Sequence, residues 1–242
     1  MRWLRSAPDW LTARPYAHRG LHGGGIVENS QGAFAAALEK GFGIELDVRP
    51  ARDATPFVFH DAGLERLCGV DGRLDDLDHN DVGRLRLEES GESIPTLGDA
   101  LALIAGRVPL LVEVKAEQRL NRRFLGKLVH GLRRYTGPLA VMSFDPRIIR
   151  WIAEHAPALV LGLVMSEEDK SKFKGLMERN LAIKIARPDF LAYDIRSLPS
   201  PFAADMRRRG LAILTWTVRN AQQAGIARGH ADQIIHEWDG AA

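Results

Sequence analysis

GIELDVRPARDATPFVFHD, residues 43–61, carries two apolar runs of strand character, Gly43–Val48 and Pro56–His60, separated only by the segment RPARDAT. Parallel neighbours need a crossover of about a dozen residues or more, usually a helix. The two runs are therefore read as a hairpin-like excursion, with Pro50 and Arg52-Asp53-Ala54-Thr55 at its tip. This decides the architecture. Further runs of the same kind are PYAH (15–18), PLLVEV (109–114), LAVMSF (139–144), LVLGLV (159–164), FLAYDI (190–195), LAILTW (211–216) and DQIIH (232–236). Nine runs are one too many for an eight-stranded parallel barrel, and folding Pro56–His60 back on its predecessor leaves the right number.

Helix-patterned stretches lie between the runs: Asn29–Lys40, Thr96–Ala105, Leu120–Tyr135, Pro146–His155, Ser166–Asn180, Pro201–Arg209 and Asn220–Gly229. Strand alternating with helix predicts α/β class, here a TIM-type (β/α)8 barrel with a short hairpin-like excursion after the second strand. No short repeat, low-complexity tract or Pro/Ser-rich linker divides the chain, so residues 1–242 are expected to form one barrel domain. Asp61–Ile94, rich in Gly and Asp and poor in periodicity, is expected to be an extended loop over one end of the barrel. The Trp3, Leu4, Trp10, Leu11 cluster is expected to pack beneath it.

The 242 residues, 45% hydrophobic and 26% charged, suffice for one large core. Lys plus Arg (33) nearly balance Asp plus Glu (31), and a net charge of +2 argues against nucleic acid or an anionic membrane as the main partner. Cys68 is the single cysteine, which excludes an internal disulfide and a cysteine-based zinc site. MRWLRSAPDWLTARP lacks the apolar core of a signal peptide, and no run approaches the roughly 18 apolar residues of a membrane span. No transmembrane segment and a cytoplasmic location are expected.

In a parallel α/β barrel the strand C-termini and the loops after them form the active face. Here those ends carry His18-Arg19, Glu45 and Asp47, His60-Asp61, and Glu113 and Lys115. Period 2 puts Glu45 and Asp47 on one face of their strand, and Glu113 and Lys115 on one face of theirs. If both faces turn into the mouth, three carboxylates converge, an oxygen ligand set suited to a hard cation such as Mg²⁺ or Ca²⁺. The alternative is a set of rim ion pairs with Arg19, Arg49 and Lys115, although burying three acids among apolar strands without a cation is costly. His18 and His60 flank the acids and are candidates for proton transfer. His79, His130, His155 and His230 read as surface residues, whereas His22 and His236 could border the mouth. Gly23-Gly24-Gly25 allows a sharp turn and close approach to a ligand before Glu28-Asn29-Ser30 begins a helix. No Gly-Lys-Ser/Thr follows, so phosphate binding falls to Arg19 and Lys115.

The chain resembles the glycerophosphodiester phosphodiesterases through AHRG (17–20), ENS (28–30), AF (33–34), ELDV (45–48), FHDAGLERL (59–67), IPTL (94–97), VEVK (112–115), SF (143–144) and TWTV (215–218), in the family's order. The resemblance implies a divalent-cation-dependent barrel that hydrolyses glycerophosphodiesters, small-molecule substrates, to glycerol 3-phosphate and an alcohol. By motif, Glu45, Asp47 and Glu113 match the metal ligands, His18 and His60 the acid/base pair, and Arg19 and Lys115 the phosphate contacts. Trp216 matches an aromatic near the mouth that can pack on the glycerol moiety, or it is ordinary barrel packing. Extended to the phosphatidylinositol-specific phospholipase C barrels, the resemblance makes His18 the base and His60 the acid. A lysophospholipase D that accepts an acyl chain is a near variant. A non-catalytic phosphate-binding barrel would be expected to lack one of these histidines or acids, and none is missing. The family often ends its last strand in Thr-Asp followed by proline; here IIHEWDG puts His236 and Glu237 in those places, a departure expected to bear on substrate choice more than on catalysis.

Overall fold

The computed structural model describes residues 6–116, 119–168 and 172–237. Its strands are β1 (Tyr16–Ala17), β2 (Gly43–Pro50), β3 (Pro56–Val58), β4 (Leu110–Val114), β5 (Leu139–Ser143), β6 (Val160–Met165), β7 (Phe190–Asp194), β8 (Ala212–Val218) and β9 (Gln233–His236). They form one sheet in the order β1-β9-β8-β7-β6-β5-β4-β2-β3, and parallel pairing of β1 with β2 closes it into an eight-stranded barrel. β3 is the exception, pairing antiparallel on β2 with Val48 opposite Val58 and Pro50 opposite Pro56. The excursion predicted from the short RPARDAT link is therefore present.

Side-chain parity along the strands separates two apolar layers. Ile44, Leu46, Val48, Leu110, Val112 and Val114 belong to the outer layer against the helices, while Leu111, Ala140, Met142, Val164, Ala192, Leu214 and Ile235 fill the barrel. Glu45 and Asp47 alternate with the outer-layer residues of β2, and Glu113 shares the parity of Leu111, so all three acids face inward. Leu11 is fully buried in the inner cluster, with Trp10 packed on it, and its carbonyl accepts the Tyr16 hydroxyl at 3.0 Å. This part of the N-terminal segment packs beneath the barrel as expected; Trp3 and Leu4 lie outside the described residues.

The helices are α1 (Gln31–Lys40), α2 (Glu65–Cys68), α3 (His79–Val82), α4 (Leu97–Ile104), α5 (Arg122–Leu132), α6 (Pro146–His155), α7 (Lys172–Ala186), α8 (Pro201–Arg208) and α9 (Ala221–His230). Most of the long ones start where a capping side chain accepts a backbone N–H: Ser30, Asn121, Asp145, Ser200, Asn220, and Thr96 in a reciprocal box with Asp99. Two expectations need correction. Asp61–Ile94 is not an extended loop: α2, α3 and a 3₁₀ turn at Leu74–Asp76 gather Leu64, Leu74, Val82 and Leu87 around Phe57 and Phe59 in a small core seated on the excursion. Four-residue helices are too short to show periodicity. α7 also sits later than predicted. Ser166 and Glu167 precede it, bonding to Asp194 and Ser197, and the helix runs on to Ala186 before Arg187-Pro188 ends it. No helix of the described residues is long and apolar enough to cross a membrane.

Candidate active site

β2 and β4 align Asp47 beside Glu113, and Glu45 lies one pleat below. Glu45 and Asp47 are fully buried, Glu113 is 6% exposed, and one carboxylate oxygen from each lies within 4.8 Å of the others. Crowding acids out of water disfavours their charged forms. Burial, then the Asp47 and Glu113 charges, hold the Glu45 carboxyl well above its ordinary range. Burial also raises Glu113. For Asp47 the burial effect is outweighed by Lys115, His60 and Arg19, which hold it low.

The predicted cations are in place. Lys115 Nζ is 2.6 Å from Glu113 Oε1 and 2.7 Å from Asp47 Oδ1. Arg19 donates Nη1–H to Glu28 Oε1 at 2.8 Å and sets Nε 3.3 Å from Asp47 Oδ2. Arg49 instead donates Nε–H to the His60 carbonyl at 2.7 Å. Ion pairing thus accounts for Asp47 and Glu113 but not for Glu45. One Glu45 oxygen accepts the Arg19 backbone N–H at 2.9 Å, and the other, equally buried, has no hydrogen-bond partner. Three converging carboxylates with an orphaned oxygen and no sulfur or imidazole among them fit a hard divalent cation.

Backbone geometry aims Arg19. Its φ is +56° and that of Gly20 is +76°, and a Cβ on Gly20 would lie 2.7 Å from Ala33 Cβ and 2.8 Å from its carbonyl carbon. Gly20 is therefore required where the turn passes close to α1. Gly23–Gly25 form an open turn, with Gly23 bridged to Ile26 and empty space where Cβ atoms would stand. Asn29 (φ +55°) donates its N–H to the Arg19 carbonyl at 2.8 Å, and its amide clamps Asp47 through Nδ2 to Oδ2 at 2.9 Å and Oδ1 from the Asp47 N–H at 3.2 Å. In the sequence Asn29 stands both at a helix start and in the ENS motif (28–30), with no site role assigned to it. Its place in that motif was the available signal.

Each histidine carries a carboxylate on Nδ1. His18, at the end of β1, donates its N–H to the His236 carbonyl at 2.9 Å and its Nδ1–H to Glu237 Oε1 at 2.5 Å; Nε2 lies 3.9 Å from Glu45. Burial lowers the His18 pKa despite Glu237. β3 runs back down beside β2, so the chain beyond Val58 returns His60 to the level of the acids. There His60 bonds Asp61 Oδ1 through Nδ1 at 2.6 Å, and its pKa is lowered by burial against the pull of Asp47. Arg66 Nε–H in turn donates to Asp61 at 2.5 Å, and its Nη groups grip Glu28 at 2.7 and 3.0 Å. Glu237 also accepts Arg219 Nε–H at 2.7 Å and lies 3.8 Å from His22. The residue expected to bear on substrate choice is thus in direct contact with His18. His22 is partly buried beside Glu237 and is not among the residues lining the cavity; His236 is buried edge-on against Phe42, 4.9 Å between rings. His79, His130, His155 and His230 are on the surface, as expected.

His18, Arg19, Glu45, His60, Glu113 and Lys115 line one cavity of about 450 Å³. Trp216 stands on its opposite wall, its indole N–H donating to the Ala192 carbonyl at 3.0 Å and its ring 5.6 Å from that of Phe144. The indole therefore both packs into the barrel and faces the cavity. Asp47 lies behind, joined to the lining through Lys115 and Arg19.

The chain is 43% identical over 106 residues to a probable glycerophosphodiester phosphodiesterase 2 of Mycobacterium tuberculosis, a match spanning 43% of this chain and 39% of that protein. It is 26% identical over 231 residues to a glycerophosphodiester phosphodiesterase of Caldanaerobacter subterraneus subsp. tengcongensis, covering 90% and 91% of the two chains. An Oleispira antarctica phosphodiesterase, solved in complex with the product sn-glycerol-3-phosphate, has the same fold, with a TM-score of 0.81 at 22% identity over 94% of each chain. The model of the glycerophosphoryl diester phosphodiesterase family matches residues 18–237, from the first of the two histidines to the glutamate bonded to it, and the chain belongs to that family of phosphoric diester hydrolases.

Proposed function

We propose that residues 1–242 act as one barrel that hydrolyses glycerophosphodiesters to glycerol 3-phosphate and an alcohol, with Mg²⁺ or Ca²⁺ held by Glu45, Asp47 and Glu113. The observation that carries this is the buried acid trio, one of whose oxygens is unpartnered, with a histidine on either side. The cation, when bound, supplies positive charge that stabilises a phosphate as negative charge builds on it. The chain's own groups do the rest. Lys115 has an N–H beyond those given to Asp47 and Glu113, and Arg19 has N–H groups beyond those facing Glu28 and Asp47; these hold the non-bridging oxygens.

A carboxylate accepts but does not donate, so Glu237 keeps the His18 proton on Nδ1 and leaves Nε2 as the basic nitrogen facing the cavity. Nε2 takes a proton from water, or from the substrate's own 2-hydroxyl in a route through a cyclic phosphate. Asp61 likewise accepts the Nδ1–H of His60 and favours its imidazolium form, whose second proton, on Nε2, passes to the departing alkoxide and leaves His60 neutral. Trp216 offers its face to the glycerol moiety across the cavity. The direct test is release of glycerol 3-phosphate from glycerophosphocholine, glycerophosphoethanolamine, glycerophosphoinositol and glycerophosphoglycerol, with Mg²⁺ and Ca²⁺ supplied in turn. No release from any of them with either cation would overturn the assignment.

A further inference from the structure

The two ring nitrogens of His18 have different surroundings. Nε2 lies 3.9 Å from Glu45, on the side of the acid trio, whereas Nδ1 belongs to a second group of metal-ligating atoms. One atom each of His18, His22 and Glu237 lies within 4.8 Å of the others. Glu237 Oε1 stands 2.5 Å from His18 Nδ1 and 3.8 Å from His22 Nε2, while Arg219 holds the other carboxylate oxygen at 2.7 Å. His18 Nδ1 is satisfied by its contact. His22 Nε2 is not: it is buried, on the Oε1 side of the carboxylate, and has no hydrogen-bond partner. A buried ring nitrogen left in that state is costly, and nothing in the proposed reaction uses His22.

This donor set differs from that of Glu45, Asp47 and Glu113. Two imidazole nitrogens and a carboxylate oxygen suit zinc, whereas Mg²⁺ and Ca²⁺ take oxygen. Zn–N bonds of about 2.0–2.1 Å in a tetrahedron put ligand atoms roughly 3.3 Å apart. The observed 2.5 and 3.8 Å lie on either side of that spacing. His22 is placed to make the adjustment, because Gly23, Gly24 and Gly25 follow it in a turn with open space where Cβ atoms would stand. Arg219 can stay on Oε2 and leave Oε1 to the metal.

We propose that His18 Nδ1, His22 Nε2 and Glu237 form a zinc site, separate from the acid trio, through which Zn²⁺ inhibits the enzyme. The effect on turnover rests on the proposed role of His18 as base; the binding does not. With only Glu237 on Nδ1, the imidazole proton sits there and Nε2 keeps its lone pair. Zinc takes the Nδ1 lone pair instead, so the proton moves to Nε2 and none is released. His22 binds as the neutral ring, its own proton on Nδ1. A neutral His18 with its N–H at Nε2 has no lone pair left to accept a proton from water or a 2-hydroxyl.

The test uses the full chain saturated with Mg²⁺ and titrates Zn²⁺, following bound zinc by equilibrium dialysis with elemental analysis and, in parallel, turnover of glycerophosphoglycerol. One zinc per chain is expected, with turnover falling as that site fills and further Mg²⁺ failing to restore it. His22→Ala, and His22→Asn as a milder replacement, each checked for native melting, should keep the Mg²⁺-supported rate but bind zinc roughly tenfold or more weakly. The inhibition curve should shift by the same factor. Zinc binding and inhibition unchanged by replacement of His22, or inhibition reversed by excess Mg²⁺, overturns the site, places zinc among Glu45, Asp47 and Glu113, and leaves the phosphodiesterase assignment standing. Zinc bound through His22 with turnover untouched overturns the inhibition and the base role of His18. No hydrolysis under any of these conditions, with zinc still bound through His22, overturns the phosphodiesterase assignment and the inhibition with it, while the metal site stands.

Discussion

Glu237 on Nδ1 of His18 and Asp61 on Nδ1 of His60 leave the two Nε2 atoms for chemistry, but the roles of the two imidazoles differ. Expelling an alkoxide near neutral pH needs a general acid, whereas a nitrophenolate leaves unaided. His60→Ala should therefore lose roughly 10²- to 10⁴-fold on an alkyl glycerophosphodiester and recover most of it on a glycerophosphoryl nitrophenol. His18→Ala should stay slow on both, and rescue of His18→Ala instead would exchange the roles. Glu237→Gln keeps the size of the side chain but no longer enforces a proton on Nδ1; kcat should fall roughly 10²-fold or more with little change in KM, and Glu237→Asp should recover part of it. An unchanged kcat would reduce Glu237 to a surface partner of Arg219. Asp61 also reports on stability. Burial alone would raise its pKa, but the Arg66 and His60 bonds hold it at about 2, below its ordinary value of 3.8. A depressed folded-state pKa contributes stability that is fully present above the unfolded value and is lost as pH falls towards 2. Melting curves between these limits should therefore show a smaller loss for Asp61→Asn than for the unaltered protein.

At the scale of elements, the β1–α1 connection and the β2–β3 excursion share the work of placing charges. Gly20→Ala is the sharpest probe of the first. It forces an L side chain onto φ +76° with its Cβ against the Ala33 backbone, so a loss of about 1–3 kcal/mol in urea unfolding is expected. Activity should fall further than stability because Arg19 is re-aimed; full stability and full rate together would show that the turn is adaptable. These elements also mark where the sequence is informative. The barrel was legible because buried parallel strands are apolar runs whatever their surroundings, and because RPARDAT is too short to hold a crossover. Glu45, Asp47, Glu113 and Lys115 were legible because acids and a lysine in apolar strands are conspicuous. The contacts of Asn29 and Glu237 were not, because Asn29 meets Asp47, 18 residues on, only when β1 is paired with β2, and Glu237 meets His18, 219 residues away, only when β1 is paired with β9. The triple glycine makes the sharp turn expected of it, with φ of +119°, +59° and +92°. Gly20 carries a further requirement that only the approach of α1 reveals, because a Cβ there would meet the Ala33 backbone.

For the molecule as a whole, the three inward acids set the balance. Glu45, Asp47 and Glu113 stand at the end of a barrel whose inner layer is otherwise apolar, and Lys115 and Arg19 bring two cations to the three of them. Like charges at such separations repel strongly in a medium less polar than water, so the folded barrel should gain from a divalent cation that the unfolded chain, with its acids dispersed in solvent, does not bind. By mass action the gain is about 2.7 kcal/mol when free cation reaches a hundred times its dissociation constant. Chelation should therefore do two things at once: abolish glycerophosphodiester hydrolysis and lower the melting temperature, with Mg²⁺ or Ca²⁺ restoring both over the same concentration range. Glu113→Gln retains the shape of the side chain with one ligand charge fewer, and should shift both titrations to higher cation concentration while leaving the melting temperature in chelator unchanged or raised, since one of the repelling charges is gone. Full turnover by protein shown by elemental analysis to be metal-free would rule out a catalytic cation. Loss of activity in chelator with no change in melting in the presence or absence of either cation would instead place the ion with the substrate rather than in a site built by these three acids.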